Sequence, residues 1–298
     1  MRAFLLFAFF LATISPAARA QTAIPTKSSP DPGAFLALSP QWWVKLSGGY
    51  DYAFMGDLNT ASRNYANYLK EVGAPVTDRG LYQTGNSGIR AGLELGYSLD
   101  RDNWISLGAQ NVWTQAMGWS QVQDNTVVES FMVSPNLLSV SLNYGRNLIQ
   151  SKWGKTYLAV GGGWYHAYAT ATSYDNLIPP PNDYSTGTFT GDVLGGTLGL
   201  SQSVNLGGPF ALELSVNGRW ASFSQLSSNS VNGNYISGPP FKLMVLRNEN
   251  IVPGMLGSDS DYLLFAPQGI MDMHPGDYRY AVVDYSGLFA DIAFRYSF

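Results

Sequence analysis

The sequence contains no cysteine and little charge. Without cysteine among its 298 residues, the chain has no disulfide framework, thiol nucleophile or thiolate metal site. Charged residues make up only 13% of the chain, about half of the fraction typical of soluble domains. The chain has 17 Lys and Arg residues and 21 Asp and Glu residues, which gives a formal net charge of −4. Nucleic-acid-binding proteins, in contrast, normally carry a basic surface. We therefore expect no nucleic-acid partner.

Long apolar runs are also missing, except at the N-terminus, where the pattern is that of a cleaved signal peptide. Arg2 supplies a positive end, residues 4–14 form an apolar run, and Ala18-Arg19-Ala20 has the small-x-small form of a signal peptidase site. The run is shorter than the roughly 20 residues that a membrane-crossing helix needs. We expect three segments, which are a signal peptide over 1–20, a flexible periplasmic lead-in over 21–41 and a membrane domain over 42–298.

Apolar and polar residues alternate along most of the chain after residue 41. A period of two places successive side chains on opposite faces of a strand. In the last segment one face is entirely apolar, and the opposite face carries Asp291 and Arg295. Two such unlike faces suit a membrane barrel, in which one face meets lipid and the other meets the lumen.

Short and long connections alternate between these strands. The short connections are polar or glycine-rich turns, and the long ones lie at about 54–87, 117–133, 173–189 and 225–277. This arrangement predicts an all-β fold, an antiparallel transmembrane up-and-down β-barrel of eight strands with short periplasmic turns and long extracellular loops.

Local patterns add two expectations about this barrel. In the first long connection, residues 60–72 are predicted to form a short helix capped by Asn59 or Thr60. Aromatic residues near the strand ends are expected to form two belts at the membrane interfaces. We assign Trp43, Trp104 and Tyr157 to the belt at the short-turn end.

Loop 4, about residues 225–279, contains two apolar runs at 241–246 and 262–265. A structureless loop of this length would be unusual in a compact domain. The runs therefore either pack as a lid over the barrel mouth or pair as another hairpin, which would raise the count to ten strands. The lid is favoured because Pro239, Pro240, Pro253 and Pro267 interrupt the segments.

The last six residues carry an aromatic side chain at every second position. Phe294, Tyr296 and Phe298 alternate with Arg295 and Ser297. Together with the eight amphipathic strands, this ending resembles the small bacterial outer-membrane barrels of the OmpA-like and opacity-protein-like families. The resemblance implies a monomer in the outer membrane, surrounded by lipid and lipopolysaccharide. It also implies that the three aromatic residues are the signal that the barrel assembly machinery recognises.

Eight charged side chains are expected to face the barrel interior. An eight-stranded barrel is just wide enough to be filled by its own side chains, and an unpaired charge there would cost several kcal/mol. We therefore expect a nearly neutral network, in which Arg90 couples to Glu94 or Glu213. Its role is interpreted as structural, with a narrow pore as the alternative. The network consists of Lys45, Asp51, Arg90, Glu94, Glu213, Arg219, Asp291 and Arg295.

Catalytic groups are scarce, since His166 and His274 are the only histidines and histidine is the usual general base near neutral pH. His166 has no adjacent serine of the kind that lipid A deacylases and palmitoyltransferases use. Asp-x-Asp and Asp-x-His pairs resemble those of omptin proteases but lie in one loop instead of on separate strands. The aspartates among the residues named below could bind calcium, but they lack the ligand spacing of an ion-binding loop. The residues concerned are Asp259, Asp261, Asp272, His274 and Asp277.

These observations predict a non-enzymatic barrel with no cofactor and no metal. Its role would be structural or adhesive, with an extracellular ligand bound by the loops, since exposed loops carry most binding functions. Two alternatives remain at this point, a small-solute porin gated by loop 4 and an outer-membrane hydrolase that uses His166 or His274.

Overall fold

Eight antiparallel strands form a closed ring in the computed structural model of this chain. The structure describes residues 41–71, 82–123, 126–151, 154–175, 183–229, 231–232, 240–246, 262–267, 271 and 278–298. The expected signal peptide and residues 21–40 of the lead-in lie outside this set. The ring strands are β1 (Gln41–Ala53), β3 (Ser87–Ser98), β4 (Asn103–Thr114), β6 (Thr126–Ser151), β7 (Gly154–Asp175), β8 (Asp183–Gly207), β9 (Phe210–Trp220) and β17 (Gly287–Ser297).

Each ring strand pairs with its neighbours, and β17 closes the ring by pairing with β1. The prediction of an eight-stranded antiparallel barrel is therefore confirmed. The remaining elements lie at the extracellular end. They are α1 (Asp57–Glu71), β2 (Tyr82–Gln83), β5 (Met117–Gln123), β10 (Ser222–Phe223), β11 (Ser227–Ser228), β12 (Val231–Asn232), β13 (Phe241–Leu246), β14 (Tyr262–Pro267), β15 (Tyr278–Tyr280) and β16 (Val283–Asp284).

The two faces of the ring differ as their alternation requires. On β17, Leu288 and Ile292 point outward and are 57% and 61% exposed, whereas Phe289 and Ala293 point inward and are buried. Leu194 on β8 is 81% exposed. A continuous apolar band around a closed sheet is unfavourable in water and favourable in contact with lipid. The outer face of the ring therefore suits a membrane. Among the described residues, no helix has the length and hydropathy needed to cross a bilayer.

Three ring strands are longer than a bilayer crossing requires. β6, β7 and β8 contain 26, 22 and 25 residues, although about 9–11 tilted residues suffice to cross a bilayer. The segments predicted as loops at 117–133 and 173–189 are mostly strand, because β5 pairs with the start of β6 and because β7 and β8 stay paired up to Asp175 and Asp183. The sheet therefore continues well above the membrane on this side.

The two apolar runs of loop 4 form a hairpin whose strands are not part of the eight-stranded ring. β13 pairs with β14 and with β15, and all six residues of β13 are buried. The Phe265 ring lies 5.7 Å from the ring of Phe131 on β6 and 5.7 Å from that of Phe189 on β8. The hairpin thus packs against inward-facing side chains of the extended strands. The expected pairing and the expected lid both occur, while the ring keeps eight strands.

Helix α1 contributes to the same apolar core through Leu58 and Ala61. The predicted start at residue 60 is wrong, because the helix begins at Asp57. The Asp57 carboxylate accepts a hydrogen bond of 2.7 Å from the backbone N–H of Val282 and pairs with Arg279, with Nη1–Oδ2 and Nη2–Oδ1 distances of 2.5 and 2.9 Å. These partners are distant in sequence, so no local pattern reveals them. We term α1 with β13, β14 and β15 the plug.

Three aromatic residues assigned to an outer belt lie inside the barrel instead. Trp43, Trp104 and Tyr157 are buried, and their rings meet edge to face, with centroid distances of 5.4 Å for both contacts. A Cβ atom at Gly96 would overlap the Trp43 indole, and one at Gly145 would overlap the Trp104 indole. Glycine on the neighbouring strand therefore makes room for each ring. We term Trp43, Trp104 and Tyr157 the aromatic floor.

The aromatic floor provides a direct test of this packing. Gly96→Ala should destabilise the barrel by about 1–3 kcal/mol, since the added methyl group must displace the Trp43 indole from a filled lumen. The measurement is the free energy of unfolding in lipid vesicles by urea titration. Gly48→Ala is the matched control, because a Cβ there lies 3.8 Å from its nearest neighbour, the backbone oxygen of Arg90. Equal stability of Gly96→Ala and the control would contradict the assignment.

Candidate functional site

The charged residues of the lumen divide into two groups at different heights. The register of β1 places Lys45 opposite Glu94 on β3 and Arg295 on β17, and it places Asp51 six residues higher. Each group contains two cations and two anions. The lower quartet consists of Lys45, Glu94, Glu213 and Arg295, and the upper quartet consists of Asp51, Arg90, Arg219 and Asp291.

In the lower quartet, both carboxylates contact cations. Lys45 Nζ lies 2.5 Å from Glu94 Oε2 and 3.6 Å from Glu213 Oε2. Arg295 Nη1 lies 2.8 Å from Glu213 Oε1. The Tyr157 hydroxyl of the aromatic floor also donates a hydrogen bond to Glu213. The buried Glu213 carboxylate is thereby held by two cations and a phenol, which offsets the cost of its desolvation.

In the upper quartet, both terminal nitrogens of Arg219 donate hydrogen bonds to the Asp51 carboxylate. The Nη1–Oδ2 and Nη2–Oδ1 distances are 2.8 and 2.9 Å, the bidentate geometry that makes arginine–carboxylate pairs strong. Arg90 Nε lies 3.1 Å from Asp291 Oδ1, and its Nη1 lies 3.8 Å from Asp51 Oδ2. The Arg90 guanidinium also stacks 3.5 Å from the ring centroid of Phe289, a cation–π contact.

The expected coupling of Arg90 to Glu94 or Glu213 is wrong. Gly49 of β1 is the register partner of both Arg90 and Asp291, so these two side chains flank one position. A Cβ atom at Gly49 would overlap the Asp291 carboxylate. Glu94 lies four residues from Arg90 on the same strand, about 13 Å away, and pairs with Lys45 instead. Strand register, which the sequence pattern does not reveal, decides the partners.

The upper quartet is connected to the extracellular end of the barrel. Arg219 Nε donates a 2.8 Å hydrogen bond to the backbone oxygen of Tyr285, and the buried Tyr285 hydroxyl donates one of 2.8 Å to the backbone oxygen of Asn136 on β6. The Tyr285 ring also meets Phe223 edge to face at 5.6 Å. The lumen charges therefore lie directly beneath the apolar core of the plug.

A cavity of about 60 Å³ lies between and around the quartets. Its volume accommodates about four water molecules, and hydroxyl and amide groups along the strands opposite β1 provide their hydrogen-bonding partners. The aromatic floor bounds it below, and the plug core lies above. The neutral polar lining includes Ser141, Asn143, Thr197, Ser201, Ser215 and Asn217.

His166 lies on the outer surface of the barrel, away from the lumen. Its Nδ1 is 2.9 Å from Asp192 Oδ1, and its ring stacks between those of Trp164 and Tyr168 with centroid distances of 5.5 and 6.3 Å. The pair thus borders the outward aromatic residues at the extracellular end. The other proposed catalytic or calcium-binding residues, Asp259, Asp261, Asp272, His274 and Asp277, lie outside the described residues.

The aromatic residues proposed as an assembly signal form an outward column at the periplasmic end of β17. Tyr296 stacks on Phe298 at 6.0 Å, and Phe210 of the adjacent β9 contacts Phe294 and Tyr296 at 5.4 and 5.3 Å. The column is accessible from the membrane side. Recognition by the assembly machinery stays a prediction.

Above the membrane, two carboxylates face each other across β6 and β7. Glu129 is the register partner of Asp175, and Tyr65 of α1 hydrogen-bonds to Glu129. Burial, followed by the negative charge of Asp175, raises the pKa of Glu129 to about 7. Both residues lie in segments that the sequence pattern predicts as loops, so the pattern does not reveal this pair.

Comparison with known proteins supplies no family. No family model matches the sequence, and no curated protein matches it. Among solved structures, LpxR from Salmonella typhimurium aligns with 85% of this chain and 99% of its own, at 11% identity and a TM-score of 0.19. The TodX deltaS2S3 mutant monoaromatic hydrocarbon channel aligns with 87% of this chain and 89% of its own, at 10% identity and a TM-score of 0.14.

At these scores neither similarity bears on the function of this chain. The resemblance to OmpA-like and opacity-protein-like barrels extends to the outer-membrane type of barrel fold, and no family match carries it further. The function of this chain must therefore be inferred from the positions and contacts of its own residues.

The bidentate pair of the upper quartet should show strong energetic coupling. Asp51→Asn or Arg219→Gln alone should cost about 3–5 kcal/mol, because each leaves an uncompensated buried charge. The double variant should cost less than the sum by about 1.5–3 kcal/mol in a double-mutant cycle of unfolding free energies. The control cycle is Asp51 with Arg295, which lie about 20 Å apart along the strands and should be additive. Additivity in both cycles would contradict the quartet.

Glu129 should make the extracellular segment more stable at acidic pH. Because its folded pKa of about 7 exceeds the unfolded value of about 4.3, folding favours the protonated form. Stability is therefore fully present below the unfolded pKa and is lost as the pH rises through about 7. Hydrogen exchange of the α1 amides between pH 5 and 8 measures it, after correction for intrinsic exchange. Glu129→Gln should abolish the pH dependence, and an unchanged profile in that variant would refute the assignment.

Proposed function

We propose that this chain is an outer-membrane protein with a structural or surface-binding role, carried by an ordered extracellular module. The module comprises the plug, β5 and the parts of β6, β7 and β8 above the membrane. The observation that carries the proposal is the combination of a filled lumen with an apolar core that continues beyond the membrane. A barrel built only to cross the membrane requires neither the extended strands nor the plug.

The filled lumen argues against the small-solute porin. A solute entering from the periplasm would first have to push the three rings of the aromatic floor apart. It would then have to break the ion pairs of both quartets. Removing either partner of a buried ion pair costs several kcal/mol. At the extracellular end, Leu243, Val245 and Phe265 of the plug are buried against the barrel wall. Three successive obstacles of different chemistry favour a closed barrel.

The extracellular module has the properties of a binding surface. Its core is built from side chains of several strands and α1, so the described strands and helix of the module are held in one arrangement. A rigid surface loses less conformational entropy on binding than a mobile loop does. The ligand would be an extracellular molecule, with outer-leaflet lipopolysaccharide contacting the barrel below. The outward apolar band and the aromatic column of β17 support placement in the outer membrane.

Of the two histidines of the hydrolase alternative, His166 is the one that the structure describes. Asp192 could orient its imidazole, as the third group of a catalytic triad does. In the described part of the chain, however, Asp192 is the hydrogen-bonding partner of this ring, and no serine or threonine hydroxyl is aligned with it. A base with its orienting carboxylate but without a nucleophile favours the non-enzymatic role.

Conductance measurements distinguish the closed barrel from the porin. The mature protein should give no stepwise current in planar bilayers, and a variant lacking residues 226–276 should also be silent. The reason is that the aromatic floor and both quartets lie outside the excised segment. Electrophoretic mobility before and after heating shows whether the excised variant has folded. Stepwise currents that appear on excision would make this a lidded pore, with the quartets as its selectivity groups.

The same excision tests the surface-binding role. Bacterial cells that display the intact chain should adhere to an epithelial monolayer or to one another, and cells that display the excised variant should lose this property. His166→Ala is the matched control and should adhere normally. Equal adherence of cells that display the intact chain and cells that display the excised variant would remove the binding part of the proposal and leave a structural role.

A further inference from the structure

A second cavity, of about 40 Å³, lies at the periplasmic end of the barrel. The aromatic floor separates it from the lumen, since Trp43 and Trp104 contribute to its lining. Lys155 at the start of β7 and Arg295 on β17 also line it, together with residues of the turn between β3 and β4. With Arg101 of that turn, the cavity therefore combines three cations with two aromatic surfaces. Its volume accommodates about three water molecules.

Lys155 lacks a carboxylate partner in this cavity. No acidic group of the described residues lies within ion-pairing distance of its ammonium group. Burial and the positive charge of Arg295 disfavour the charged form of this ammonium group. The negative charge of Asp102 offsets part of this effect, and Arg101 adds a smaller repulsion. A half-buried ammonium group among other cations is incompletely compensated, and an added anion would relieve this imbalance.

The acidic residue that lines the cavity is already engaged. The Asp100 Oδ1 atom accepts hydrogen bonds of 2.7 and 2.8 Å from the backbone N–H groups of Asp102 and Asn103. Its Oδ2 atom accepts a 2.8 Å bond from the Asn103 side chain. These hydrogen bonds lower the pKa of the Asp100 carboxyl below its usual value. The carboxylate therefore stabilises the turn and is not free to neutralise Lys155.

Arg295 retains an unused donor at this site. Its Nη1 binds Glu213 of the lower quartet, and its Nη2 lies 3.4 Å from the Ser203 hydroxyl. Its Nε atom is buried and has no hydrogen-bonding partner. A buried donor without a partner costs free energy, and a ligand oxygen in the cavity could accept this hydrogen bond.

We propose that the periplasmic cavity binds a phosphate group between Lys155 and Arg295. Phosphate presents several acceptor oxygens and one to two negative charges, which match an ammonium group and a guanidinium N–H group. The adjacent indoles exclude water and strengthen the charge interactions. Two sources share this chemistry, which are free phosphate in the periplasm and the headgroup of an anionic phospholipid in the inner leaflet.

Inorganic phosphate is the first probe. Isothermal titration of the mature protein in non-ionic micelles at low ionic strength should detect its binding, and Lys155→Gln should weaken it about tenfold, as the loss of one charge-assisted contact implies. Lys155→Arg should retain binding within about threefold of the intact protein. Arg146→Gln is the matched control, because it removes an exposed cation at the same end of the barrel that does not line the cavity. Its effect should stay within about twofold.

The second arm uses nanodiscs with and without phosphatidylglycerol. Lipid retained through mild detergent exchange is measured by native mass spectrometry for the intact protein and the same variants. Loss of phosphate binding in Lys155→Gln alone supports the site with free phosphate as a ligand. Loss of lipid retention in that variant alone supports it with the headgroup as the ligand. Absence of binding in both arms, or equal losses in Lys155→Gln and Arg146→Gln, would overturn the proposal.

Discussion

Charges buried in the narrow lumen must cancel, and much of the remaining structure depends on this constraint. An eight-stranded ring encloses too little space for the water that would otherwise solvate eight ionised groups. The chain meets the constraint locally, in two quartets that are each formally neutral. The lower quartet extends to the aromatic floor through Tyr157, and the upper one extends to the plug through Tyr285. The same pairs therefore connect the aromatic floor with the plug.

Charge pairing also selects the strand register. β1 carries both Lys45 and Asp51 on its inner face, and a shift of one residue would turn both toward lipid. Glycines also contribute to the choice of register. Gly49 leaves room for the Asp291 carboxylate, and Gly96 leaves room for the Trp43 indole. Stability and closure of the lumen thus have a common origin. A barrel held in this way can support an extracellular module without opening a channel.

The sequence predicts the fold and the inward-facing charges because a period of two is visible in one strand at a time. The partners of those charges depend on pairing between distant strands. The sequence pattern therefore favours Glu94 or Glu213 as the partner of Arg90, whereas the structure pairs it with Asp51 and Asp291. The inward position of Trp43 and Trp104 is not visible in the sequence, because the glycines that make room for them, Gly96 and Gly145, lie on other strands. Segments 117–133 and 173–189 contain enough serine, glycine and asparagine to resemble loops. Long-range pairing makes most of these residues strand.

The most direct test of the account replaces the whole upper quartet with neutral amides. The variant Asp51→Asn, Arg90→Gln, Arg219→Gln and Asp291→Asn leaves no buried charge uncompensated at that height. Its free energy of unfolding in lipid vesicles should therefore lie above that of Arg219→Gln alone, although it carries four substitutions. A fourfold variant that is less stable than the single variant would show that the charges act as separate contributions, and the account of a mutually neutralised lumen would be contradicted.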